Sequence, residues 1–348
     1  MKITHPLVLG ALMVSASSAI AQSSVQMYGI VDAMVYKKQY AGDASSAAQV
    51  SSGGLNTSFW GMRGKEDLGG GLSALFELTS FFRVNSGASG RYDTDPLFSR
   101  SSWVGLQSQW GTVRIGRQSS LAFFNTGRFS AFGTSLNLSP SFLQNYQSSA
   151  TQPLITGSGA ADSVWNNVFS YTTPDIVGFT GAAYYAPKDS TSSGQRMGAS
   201  LLYANGGFAA GAVFESIKSM SLNYAKPPGS LIMNESQLWN VGASYDFRIV
   251  KLFAQATGTQ LSNPTTRADF LTYNVGASIP IGPGHVLLSY GVESKEQTRL
   301  PDAHRKTLVA AYDYSLSKLT DLYAAVIHDR ATAMSSGTGF ATGVRHRF

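Results

Sequence analysis

The residues with the strongest chemical character are arginines grouped around one long uncharged stretch. Arg114 and Arg117 precede it, Arg128 lies inside it, and Arg345 and Arg347 stand in the last segment of the chain. On an open surface such groups are solvated or paired. Along a narrow, low-dielectric passage they focus field lines, concentrate anions and speed their entry. Arg117 and Arg128 are the two best placed to act in this way, and Glu77, Asp32 and Asp246 are the acids that could temper them. Other chemistries find less support. His285, His304, His328 and His346 fall on separate segments without an HExxH or paired metal-ligand spacing. No metal, no cofactor and no enzymatic activity are expected. A Ser-His or Asp-His pairing of the kind barrel hydrolases use stays open as an alternative. The glycine-rich DLGGG at 67–71 and NGG at 205–207 lack the lysine and following helix of a phosphate cradle.

The stretch in question runs from Gln118 to Ser163, more than forty residues without strand alternation or a helical stripe. Loops of that length inside a compact domain are disordered or functional. Disordered segments are poor in aromatics, whereas this one carries Phe123, Phe124, Phe129, Phe132, Phe142 and Tyr146. Between Gln118 and Ala161 it has no Asp or Glu, and Arg128 is its only formal charge. An ordered loop packed against an enclosing wall is the better reading. Its rings either anchor it to that wall, the reading that weighs more, or offer a greasy slide to sugars and aromatic solutes.

The wall must come from the rest of the chain. Met1 to Ala21 has the form of a secretory signal peptide, with Lys2, an apolar run from Leu7 to Val14 and the small-residue ending Ala19-Ile20-Ala21. Cleavage between Ala21 and Gln22 leaves 22–348 as one mature domain. No later segment supplies the roughly twenty apolar residues of a membrane helix. Charged residues make up only 13% of the chain, the +6 balance is scattered, and no basic patch argues for nucleic acid. Without cysteine, an exported chain depends on burial and backbone pairing.

From Ser24 onward, period-two alternation recurs to the end. Val25, Met27, Val31 and Ala33 oppose Gln26, Tyr28 and Asp32, and Trp239, Val241, Ala243, Tyr245 and Phe247 oppose Asn240, Gly242, Ser244, Asp246 and Arg248. About sixteen strands result. Short turns are expected near 69, 110, 176, 206, 249, 282 and 318, and long connections near 46, 91, 140, 191, 226, 264, 300 and 334. One rim is trimmed and the other decorated, as in an up-and-down meander. Aromatics near strand ends, such as Tyr245, Phe247, Tyr312, Tyr314 and Phe348, suit interfacial girdles. In a bilayer such a sheet must close on itself, and sixteen strands enclose water. The fold expected is an all-β, 16-stranded antiparallel transmembrane β-barrel, its third long loop, 118–163, folded inward to narrow the channel.

Several motifs then resemble the trimeric general porins of Gram-negative outer membranes, especially their beta-proteobacterial branch. They are SVQMYGIVDA at Ser24–Ala33, WGMRGKEDLGGGLSALFEL at Trp60–Leu78, LFSRSSWVGL at Leu97–Leu106, WGTVRIGRQ at Trp110–Gln118 and TGVRHRF at Thr342–Phe348. The resemblance implies a homotrimer in outer-membrane lipid, passive diffusion of small hydrophilic solutes and anions, and a terminal Phe348 read by the barrel-assembly machinery. It implies that 118–163 is the constriction loop, with Arg117 on the facing wall; since Val113 and Ile115 point outward, that placement needs a bulge or strand end at Arg117. Arg100 lies in a matching motif, on an ambiguous face. Phe59 and Val164 stand where relatives often carry arginine, and the acids usual on the loop are missing. Mild anion preference is the resulting expectation. A channel specific for a sugar or aromatic solute is the runner-up, and a barrel enzyme or adhesin the more distant alternative.

Overall fold

The computed structural model describes residues 24–44, 47–146, 163–188, 194–225, 228–298 and 300–348. The expected leader, with Ala21 and Gln22, lies outside them. Alternating residues have become strands throughout: β1 Ser24–Lys37, β2 Gln49–Ser52, β3 Phe59–Gly69, β4 Leu72–Phe81, β5 Ser101–Ser108, β6 Gly111–Ser119, β7 Val164–Thr172, β8 Phe179–Ala186 and β9 Arg196–Asn205. The second half comprises β10 Phe208–Ala225, β11 Pro228–Asp246, β12 Lys251–Ser262, β13 Arg267–Ile281, β14 Gly284–Gln297, β15 Leu300–Ser315, β16 Thr320–Ala331 and β17 Gly337–Arg347.

From β3 onward each strand pairs antiparallel with the next. The last pairs with the first, Ile30 opposite Arg347 and Lys37 opposite Phe340. The other edge of β1 is shared, since residues 24–30 pair with β3 and residues 33–36 with β2. β2 and β3 therefore occupy one place between them, and seventeen segments make a closed barrel of sixteen staves. Closure leaves no row of unpaired N–H and C=O groups, which is the condition for a sheet to cross hydrocarbon.

The two faces divide as the alternation requires. Leu201, Phe214, Trp239, Val241, Tyr273, Val275, Leu308 and Phe340 are exposed, while the intervening Glu215, Asn240, Gln255, Thr257, Thr272, Asn274 and Thr307 are buried. An apolar outside and a polar inside reverse the arrangement of a soluble sandwich. Ring pairs mark the short-turn rim, with Tyr245 and Phe247 centroids 4.5 Å apart, Phe179 and Tyr203 4.6 Å apart and Tyr312 and Tyr314 6.2 Å apart. They form the expected interfacial belt.

The long-loop rim differs from expectation in three places. Near 226, 264 and 300 the strands simply run on, and β10 and β11 reach 18 and 19 residues, paired out to Ala225 opposite Pro228. A tilted span needs only about 9–11 residues, so these hairpins project beyond the bilayer. Their polar outer segments broke the apolar alternation without breaking the ladder.

Candidate functional site

The stretch after β6 contains two helices that sequence periodicity did not disclose, α1 Leu121–Arg128 and α2 Pro140–Asn145. Eight and six residues are too few for a 3.6-residue stripe to register. Their start signals are nonetheless present. The Ser120 hydroxyl accepts from the Phe123 N–H at 3.2 Å, and Pro140 follows Ser139 at the first turn of α2.

This segment docks on the polar face of the sheet through hydrogen bonds that are mostly neutral. The Ala122 N–H donates to Glu215 Oε1 at 2.9 Å, and Asn125 Nδ2 donates to Asn240 Oδ1 at 2.5 Å. Gln255 Nε2 donates to the carbonyls of Thr126 and Phe129 at 3.1 and 2.9 Å. Further on, Gln144 Nε2 donates to Thr307 Oγ1 at 3.3 Å and Thr272 Oγ1 donates to Asn145 Oδ1 at 3.1 Å. Ser135 and Asn137 donate to the carbonyls of Gly54 and Gly53, and the Tyr40 hydroxyl donates to the Asn137 carbonyl. Its apolar residues join two buried clusters. Leu121 and Ala122 pack with Trp165, Val213 and Leu238, and Phe132, Leu138 and Leu143 with Met34, Leu287, Val309 and Ile327. A single segment touching β7, β10 to β16 and β1 on their polar faces can do so only from the concave side of the barrel.

Backbone shape prepares the seat. Gly211 and Gly242 stand opposite each other in the β10–β11 register. A Cβ at Gly242 would run into the Phe129 ring, and one at Gly211 into Asn125 and the same ring. Their missing side chains leave a flat spot that Phe129 fills.

The predicted site residues separate accordingly. Phe129 and Phe132 are 0% and 3% exposed, so they anchor the loop and cannot line a passage. Phe123 packs edge-on against Phe142 and Tyr146 at 5.1 and 5.7 Å and so joins α1 to α2. Phe124 is half exposed, and exposed Arg128 forms no hydrogen bond or ion pair with any described residue.

Arg117 does not lie on the wall facing the loop. The β6–β7 register does shift at this point, but the extra residue is on β7, where Asn167 has φ 57. Alternation along β6 is therefore unbroken. Gln118 points inward to accept from the Ser170 hydroxyl at 2.8 Å, and Arg117 points outward with Val113 and Ile115. There it donates to the Ser99 carbonyl at 2.9 Å and to Asn166 Oδ1, beside Leu97 and Phe98.

The facing wall is built by residues on β3 to β6. Arg63 donates twice to Gln26 Oε1, at 3.0 and 2.8 Å, and lies 4.7 Å over the Tyr28 ring. Arg100, ambiguous in the sequence, turns inward 4.1 Å over Phe59. Arg114 lies 4.5 Å over Trp103. Glu77 stands among them, 3.7 Å from Arg100 and accepting from Ser101. Three guanidiniums thus lie over three rings, an arrangement that positions each cation by its attraction to the ring face. Arg114 figured among the sequence candidates, Arg100 lay on an ambiguous face, and Arg63 was not singled out. The parity that sets Arg63 against Met62 and Gly64 was the available signal for Arg63, and the partner rings lie far away in the chain.

The remaining charges are spent on structure. Arg345 is buried between Asp313 and Asp321 at 2.7 and 2.9 Å, and Arg347 joins Asp321 at 2.7 Å. Asp32, wholly buried, accepts from the Gly54 and Asn56 N–H groups and the Tyr323 hydroxyl. Asp246 accepts from the Arg248 N–H at the short-turn rim. In the first long connection, burial pushes the Tyr40 phenol well above its ordinary range.

A sixteen-stave barrel, apolar outside, polar within and holding a docked loop on its inner wall, defines a transmembrane channel of the outer-membrane type. The chain belongs to the Gram-negative porin family, whose description matches residues 8–333. It is 31% identical to outer membrane porin protein 32 of Delftia acidovorans over 97% of this chain and 98% of that protein. Among solved structures it resembles an anion-selective porin from Comamonas acidovorans, with TM-score 0.76, 26% identity and coverage of 94% of this chain and 100% of that one. It also shares its fold with the OmpT outer membrane protein of Vibrio cholerae in a trimer form, with TM-score 0.67, 12% identity and coverage of 94% and 99%. The protein resides in the outer membrane.

Proposed function

We propose that this porin passes small hydrophilic solutes by passive diffusion with a mild preference for anions, and that 118–163 sets the constriction. The reading rests above all on the guanidiniums of Arg63, Arg100 and Arg114, held over rings on the wall not covered by the loop. Glu77 offsets part of that charge, and Arg128 adds to it from the loop. A narrow polar lumen with low-dielectric walls amplifies such an imbalance. The anion-selective Comamonas structure supports the same sign. Burial of Phe129 and Phe132 counts against a greasy slide, since neither ring can stack on a solute. Channel function accounts for the fold without an enzymatic role.

Assembly as a homotrimer is part of the proposal, supported by the trimer form of the Vibrio relative. Maturation by cleavage between Ala21 and Gln22, and recognition of Phe348 by the barrel-assembly machinery, complete it. Phe348 closes the last strand against Gly29, with N–H to carbonyl distances of 3.0 and 3.1 Å. Single-channel recording under a salt gradient tests the reading: three-step closure and a reversal potential of the anion-selective sign are expected. A cation-selective reversal potential overturns the selectivity, and an absence of conductance overturns the channel.

A further inference from the structure

Outside the lumen, the long-loop rim carries one pair of charges that pairing preferences disfavour. Lys306 on β15 and Arg330 on β16 are directly opposite in the antiparallel register. Both are exposed and share the outward face with Leu308 and Val326. Like charges directly opposite on one face destabilise a sheet. Neither cation forms an ion pair with any described residue; the carboxylates of Asp302 and Glu296 stand further toward the loop end of the same hairpin.

The guanidinium is also oriented. Arg330 Nε donates to His328 Nε2 at 3.0 Å, and His328 Nδ1 lies 2.9 Å from Thr338 Oγ1. An arginine can only donate. His328 Nε2 is therefore the acceptor, and the ring is neutral with its proton on Nδ1, given to the threonine. The imidazole thus steers Arg330 beside Lys306 without adding charge. His304, on the same face, meets Ser294 at 3.2 Å.

Position identifies the counter-ion. The Lys306–Arg330 row lies two residues beyond the row of Leu308 and His328, about 7 Å along the strand. That places it at headgroup height, just past the apolar band, on the rim where the longer loops of outer-membrane barrels face the exterior. Two other rim cations are neutralised within the chain. Lys218 pairs with Glu235, and Arg267 pairs with Asp269 at 2.7 Å.

We infer that Lys306 and Arg330, oriented by His328, form a binding site on the outer wall for the phosphate headgroup of an anionic outer-leaflet glycolipid. One phosphate between the two cations converts their repulsion into a pair of charge-assisted hydrogen bonds, while Leu308, Val326 and Phe340 receive acyl chains below. The site is independent of the lumen and of its selectivity.

The test is a titration of the refolded full chain in detergent with diphosphoryl lipid A, reading lipid retained per chain after gel filtration. Wild type is expected to saturate. Lys306→Gln/Arg330→Gln should bind about 30-fold more weakly, about fivefold for each cation lost. His328→Ala should weaken binding by less, and Lys218→Gln should leave it unchanged. Conductance verifies that each variant has folded. The inference is overturned if the double variant binds lipid A like wild type, if wild type fails to saturate, or if inorganic phosphate at equal concentration displaces the lipid, which would mark a free-anion site. A change in oligomer size for the double variant without lipid would also overturn it, by showing that a protein surface covers the patch.

Discussion

The lumen has two walls that share one strand parity and one inward face yet use their side chains in opposite ways. On β10 to β15 the inward residues are Glu215, Asn240, Gln255, Thr272 and Thr307, and nearly every polar atom among them is bonded to the loop or to a neighbouring strand. On β3 to β6 they are Arg63, Glu77, Trp103 and Arg114, joined by Arg100, and they bond to one another or stack on rings. The first wall is a dock of paired polar groups, mostly neutral but with the charged Glu215 and Arg305 among them, which can be desolvated because they are paired. The second keeps its charges, which are costly to bury unpaired and belong beside water. The lack of acids between Gln118 and Ala161 fits this division, because the segment docks through backbone carbonyls and amides.

The largest effect should come from breaking the ion pair that borders the dock. Arg305 and Asp329 are buried at 3.0 Å, Asp329 also accepts from Thr307 and the Ala41 N–H, and Arg305 Nη1 donates to the Leu143 carbonyl. Asp329→Asn leaves a buried guanidinium without its counter-charge, at a cost of about 3–5 kcal/mol. Urea titration of the refolded barrel checks it. A midpoint equal to wild type would mean that water reaches this wall and that the two walls are less distinct than described.

Next in size is Gly242→Val, which puts methyl groups where Phe129 lies. Overpacking of this kind costs about 1–3 kcal/mol, and the loop should lift before the strand yields. Limited proteolysis should then cut within 121–145, and single-channel conductance should change. Unchanged protection from protease would show that Phe129 is dispensable to docking.

On the opposite wall, joint replacement of Arg63, Arg100 and Arg114 by Gln removes three ring contacts of about 0.5–1 kcal/mol each and should lower stability by no more than their sum. The reversal potential should lose its anion preference. If stability falls further than that, those arginines brace the barrel and the contrast between the walls fails.

How much of this was legible depended on the range of the signal. Strand parity is local, so the alternation around Val25 and Trp239 announced the barrel and its polarity directly. Loop docking is not. Nothing near Phe129 in the chain announces Gly211 and Gly242, and burial of that ring follows from a seat more than eighty residues away. Arg117 shows the reverse error. Local alternation already pointed it outward, and the family likeness drew it into the pore on the assumption of a bulge. A bulge exists, but its extra residue is Asn167 on the partner strand, which leaves β6 unturned. The stacked arginines required cross-strand partners such as Tyr28 for Arg63 and Phe59 for Arg100, and register became available only with the folded barrel.

The smallest predicted effect bears most directly on how the open wall works. Phe59 carries no charge, yet its ring lies 4.1 Å from the Arg100 guanidinium, and Glu77 is 3.7 Å from the same group. The ring holds the cation by about 0.5–1 kcal/mol, enough to compete with a partly exposed ion pair of similar worth. In Phe59→Ala that hold is lost, and Arg100 should close on Glu77, hiding one positive charge without removing it. Anion preference should fall by less than in Arg100→Gln. Adding Glu77→Gln to Phe59→Ala should restore it, because the trap is gone. If Phe59→Ala alone matches wild type, the ring is packing and no more, and selectivity rests on the number of charges regardless of how they are held.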